Sequence, residues 1–161
     1  PYTKYFSPMT LTTHAAIGAW IGTVTGNPGL AFLIGLTSHF LVDIIPHGDR
    51  TLYDGHRKGT AERRARIYVT MDAIVAIIVV ALMFSISHRS LNPMIAAGII
   101  GAVIPDLLVG IYEAWRTPFL KPFHRFHFFF HNIVSNRTGD IALSHALVAQ
   151  AILIVLIQKY F

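Results

Sequence analysis

The stretch YFSPMTLTTHAAIGAWIGTVTGNPGLAFLIGLTSHFLV, residues 5–42, contains no Asp, Glu, Lys or Arg. It is broken once, at Gly26, Asn27, Pro28 and Gly29, a cluster of turn formers that closes one regular element and opens another. The spacing predicts a helical hairpin, one helix from about Phe6 to Thr25 and a second from Gly29 to about Ile45. Each approaches the ~20 apolar residues that cross a ~30 Å hydrocarbon core.

The rest of the chain has the same character. Hydrophobic residues make up 53% and charged residues 13%, about half the charged share of a soluble domain, and the mean hydropathy is +0.54. A length of 161 residues suits a single domain, 1–161. Without cysteine, thiolate zinc sites and iron–sulfur clusters are excluded, and any metal must be held by imidazole and carboxylate. Residues 47–66 carry Arg50, Arg57, Lys58, Arg63, Arg64 and Arg66 against Asp49, Asp54 and Glu62. The positive-inside rule places this basic loop in the cytoplasm.

Two further helices are expected over 67–86 and 93–112, with Pro93 at the start of the second and Pro105 kinking its far end. Residues 113–136, interrupted by Pro118 and Pro122, read as an interfacial or re-entrant helix. A last helix follows over 139–159. The fold class is therefore all-α, a polytopic bundle of about five transmembrane helices plus the interfacial or re-entrant one. The echo between GLTSHFLVD (Gly35, Asp43) and GIIGAVIPD (Gly98, Asp106) suggests a repeated helical hairpin over 6–45 and 67–112.

Ionisable groups inside such helices cost about 2.5–3.5 kcal/mol each on insertion scales and mark function. His14, His39, Asp43, Asp72, Asp106 and His145 all fall towards the cytoplasmic ends, which points to one shared polar site. In SHFLVDIIPHGD, His39 and Asp43 stand four apart on one helical face, and His47 and Asp49 follow Pro46. This donor type suits zinc first, then manganese or iron(II). In KPFHRFHFFFHN, His124, His127 and His131 form one stripe while the phenylalanines cover other angles; the competing reading is an aromatic belt at the headgroup level. Within the stripe, His127 and His131 are also candidates for a catalytic proton carrier.

These ten candidate ligands (with His47, Asp49, Asp72 and His124 among them) exceed the needs of one ion. Two divalent metals bridged by Asp43 or Asp106 fit better, and such a pair generates hydroxide near neutral pH and clamps a phosphoryl displacement. Arg50 and Arg125 offer guanidinium forks to substrate phosphate, although basic loop residues also serve topology. His56 and His88 read as solvated loop residues, and His145 as either a ligand or a buried hydrogen-bonded histidine. No interleaved basic and aromatic surface suggests nucleic acid as a partner; the expected partners are membrane lipids and a lipid substrate.

The motifs THAAIGAWIG (His14, Gly18), SHFLVDIIPHGD (His39, Asp43, Pro46, His47, Asp49) and GAVIPDLL (Pro105, Asp106) resemble those of the membrane-bound metal-dependent hydrolases of the YdjM type, small polytopic bacterial and archaeal proteins. The likeness extends loosely across most of the chain. It implies a helical enzyme of a prokaryotic cytoplasmic membrane that binds metal through those residues and hydrolyses an ester of a phospholipid or lipid phosphate. The family's HRG…THS pattern is matched only in part, by His124 and Arg125. The alternative expectation is a metal-ion transporter or channel, against which the outer halves of the helices are almost purely apolar.

Overall fold

The computed structural model describes residues 10–45, 62–138 and 141–161, and among these every regular element is helical. The order is α1 (Leu11–Val24), α2 (Pro28–Asp43), α3 (Glu62–Ser87), α4 (Pro93–Trp115), a 3-10 turn (Pro118–Leu120), α5 (Lys121–Thr138) and α6 (Leu143–Tyr160). Local chemistry sets the starts. Asn27 Oδ1 accepts from the Leu30 amide at 3.0 Å and Asn92 Oδ1 from the Ile95 amide at 2.9 Å. Each asparagine is followed by a proline at the first helical position, where a missing amide costs nothing. Arg116, in left-handed conformation with φ 51°, ends α4.

Three helical stretches are long and apolar enough to cross a membrane: Val69–Ser87, Pro93–Trp115 and Leu143–Tyr160. The hairpin read from residues 5–42 forms, yet its helices have only 14 and 16 residues. At 1.5 Å per residue they rise about 21 and 24 Å, less than the ~30 Å core. α3 begins at Glu62, inside the stretch expected to be loop, because Glu62 to Arg66 are good helix formers. α5 is one continuous helix that takes Pro122 at its second position, and α4 continues through Pro105 to Trp115.

α4 packs against both α1 and α2, α1 also touches α3 and α6, and α5 crosses α2 and α4. The α1–α4 and α2–α4 crossings bring backbone onto backbone. A Cβ on Gly98 would fall on the carbonyl oxygen of Gly18, and one on Gly35 on the carbonyl oxygen of Gly98. Small residues at such crossings are how helices associate where apolar surface alone gives no preference. The two echoed Gly–Asp segments thus lie against each other, so Asp43 and Asp106 come to the same end of the bundle. Towards the other end, Ala16, Ala19, Met83, Ile95, Ile157 and Phe161 form the apolar core. Val69, Ile77 and Leu82 of α3 and Val155 of α6 face outward, an apolar surface suited to lipid and a liability in water.

Candidate metal centre

α2 contributes His39 and Asp43, α4 Asp106 and α5 His127, and one donor atom from each lies within 4.8 Å of all the others. His39 Nε2 is 3.1 Å from Asp43 Oδ2 and 3.7 Å from Asp106 Oδ1. His127 Nε2 is 3.6 Å from Asp43 Oδ2 and 3.8 Å from Asp106 Oδ1. Donors held 2.0–2.1 Å from one tetrahedral ion stand about 3.3 Å apart, so with donors up to 4.8 Å apart the group would draw together around a cation.

The ligand orientations are set from behind. His39 Nδ1–H donates to the Ala102 carbonyl at 2.8 Å, which fixes the tautomer and turns Nε2 inward. That Nε2 is buried and close to Asp43, yet lacks the geometry of a hydrogen bond to it. A buried polar atom of this kind asks for a partner, and a cation among the four donors supplies one. Asp43 uses its other oxygen, Oδ1, to accept from His14 Nε2–H at 3.0 Å, and the His14 ring lies against that of His39 with centroids 4.1 Å apart. Asp43 and Asp106 set two carboxylates in an apolar bundle, whose charge a divalent ion would neutralise.

His14, His39, Asp43 and His127 are all at most 1% exposed, whereas the Asp106 side chain is 15% exposed. Among the four donor residues, Asp106 is thus the member in contact with the surroundings. α5 is held in place by rings: Phe40 of α2 lies among Phe123, Phe126, His127 and Phe130, with centroids 5.2–6.5 Å apart. Phe123 and Phe130 therefore dock the helix that delivers His127, while Phe129 faces outward.

Other residues singled out in the sequence lie elsewhere. Asp72 serves the N-terminus of α1: its Oδ2 accepts from the Leu11 amide at 2.6 Å and its Oδ1 from the Thr12 hydroxyl at 2.7 Å. A helix start offers free amides and partial positive charge, which is what captures this carboxylate. His124 pairs with Glu113 at 2.8 Å, and Arg116 takes the other Glu113 oxygen at 2.6 Å. Arg125 is exposed, about 200° around α5 from His127 at 100° per residue. The backbone of His131 is on α5 one turn beyond His127, but its side chain lies outside what the structure describes, as do His47, Asp49, Arg50 and His56. His88 and His145 are exposed. The polar groups do gather near the start of α1, but in separate clusters.

Sequence reasoning passed over Phe40, Glu113 and Gln150. Gln150 stood out in principle as a lone amide in the apolar run LVAQAILIV; its Oε1 accepts from the Thr10 amide at 3.2 Å and the Thr13 hydroxyl at 2.9 Å. No protein-family model, no curated protein and no solved structure gives a significant match to this chain.

Proposed function

We propose that this chain is a membrane-embedded, metal-dependent hydrolase acting on a phosphoester, a phospholipid or lipid phosphate, at the cytoplasmic interface. The observation that carries the reading is the buried group of His39, Asp43, Asp106 and His127, of which Asp106 is the partly exposed member. A divalent ion bound there, zinc by the mixed imidazole and carboxylate donor set, would polarise a phosphoryl oxygen and make water a nucleophile at neutral pH. The chain's own residues do the rest. Asp43 and Asp106 supply the charge, Ala102 and His14 orient their partners, and α5 brings His127 over the group. A phosphoester approaches past Asp106, with its tails among apolar helices.

In this reading α1 and α2 complete a set of five spans, α5 lies at the interface, and the basic stretch 47–66, Arg50 included and running into the start of α3, faces the cytoplasm and meets phosphate. The resemblance to the YdjM-type hydrolases supports metal binding by a helical membrane protein. A transporter is the weaker alternative, because on the far side of the group Ala16, Ala19, Met83 and Ile95 fill the interior at 2% exposure or less. The test is phospholipid turnover by purified protein, with metal content measured on the same samples. Asp43→Ala and Asp106→Ala should each remove activity and lower bound metal; turnover that survives both variants refutes the assignment.

A further inference from the structure

On a different face of α1 from the metal centre lies a cavity of about 330 Å³, floored by the start of α1 and walled by α3 and α6. The two walls meet at Met83, Ile157 and Phe161, where Gln158 Nε2–H also donates to the Met83 carbonyl at 3.4 Å. The cavity sits above this closure. Its walls are apolar, Val75 and Val79 on one side and Leu147 and Ile154 on the other. Eight residues on each helix, Asp72 to Val79 and Leu147 to Ile154, give the groove a length of about 10 Å. Val75 and Leu147 are exposed at its mouth, so it opens towards the surrounding lipid.

One end of the groove is polar. Gln150 is 6% exposed and lines the cavity. The Thr10 amide can only donate, and it donates to Gln150 Oε1, so the orientation of the side-chain amide is fixed. Its Nε2 is left with two N–H groups that reach no acceptor among the described residues. Such donors are costly in an apolar medium. Beside it, Asp72 has its oxygens engaged by the start of α1, and its charge opposes an anionic head group at that spot. The complementary ligand is therefore a hydrocarbon chain ending in a neutral acceptor.

We propose that this groove seats one acyl chain of an esterified membrane lipid, with the ester carbonyl oxygen accepting from Gln150 Nε2–H. The seat is separate from the metal centre and does not depend on the hydrolase reading. The test loads detergent-purified protein with a diacyl phosphatidylethanolamine or with its dialkyl ether analogue, which lacks the carbonyl, and counts retained lipid by mass spectrometry. Wild type should retain the ester lipid about threefold to tenfold better, the worth of one neutral hydrogen bond.

Gln150→Leu should abolish that preference, and Val75→Trp, which fills the groove, should abolish retention of both lipids. Val75→Trp should keep wild-type metal content, because Val75 touches neither the four candidate ligands on α2, α4 and α5 nor the hydrogen bonds that hold the start of α1. Equal retention of ester and ether lipids by wild type overturns the proposal, and that arm needs no variant to fold. Full retention in Val75→Trp overturns it too, as does a wild type that retains no lipid.

Discussion

Replacing Asp43 by asparagine keeps the shape of the side chain and removes its charge. Three imidazole nitrogens face this one carboxylate: His14 at 3.0 Å on Oδ1, and His39 at 3.1 Å and His127 at 3.6 Å on Oδ2. Asparagine offers one amide oxygen in their place and no negative charge. A four-ligand zinc site is worth about 10–16 kcal/mol at neutral pH, so one donor of four carries about 3 kcal/mol. At 1.4 kcal/mol per tenfold, Asp43→Asn should weaken zinc binding about 100-fold. Titration of metal-free protein against a competing chelator of known affinity reads this directly. A variant that binds zinc within about threefold of wild type would show that Asp43 is not a ligand, and the four-donor centre would be wrong.

Gly98→Ala places a methyl group on the Gly18 carbonyl and should destabilise the bundle by about 1–3 kcal/mol, seen as a lowered midpoint in thermal unfolding in detergent. Phe40→Ala removes the ring on which α5 docks; a loss of about 2–4 kcal/mol and weaker metal binding through His127 should follow, measured by unfolding and by chelator competition. Asp72→Ala should cost about 1–2 kcal/mol, as loss of a helix cap does, while leaving metal stoichiometry intact by elemental analysis. A loss of metal in Asp72→Ala with unchanged stability would instead make Asp72 a ligand.

Features encoded locally were legible in the sequence. The breaks at Asn27–Pro28 and Asn92–Pro93 mark real helix starts because capping side chain and proline act within a few residues. His39 and Asp43 share a face because four residues make about one turn. Gly35 is needed where α2 meets the backbone of α4 at Gly98, and Gly98 where α4 meets α1 at Gly18, a pairing that the echo between the two Gly–Asp segments does not spell out. What stayed hidden depends on partners distant in the chain. Nothing near Asp72 tells that the free amides of α1 will take it up, sixty residues away. Glu113 claims His124 only because α5 folds back over the end of α4. The histidines of that stripe are alike in sequence, and tertiary packing alone separates His127 from His124.

The first turn of α1 is tied to two helices that give the metal centre no ligand: Asp72 from α3 and Gln150 from α6. One turn further along the same helix, His14 grips Asp43. During synthesis the four donors on α2, α4 and α5 all leave the ribosome before Gln150 does. α1 is held first by α4 and by Asp72 and gains its last tie when α6 docks. A nascent chain halted after α5 would already carry all four candidate ligands, and the arrival of α6 should firm the backing of Asp43 without adding an atom to the group.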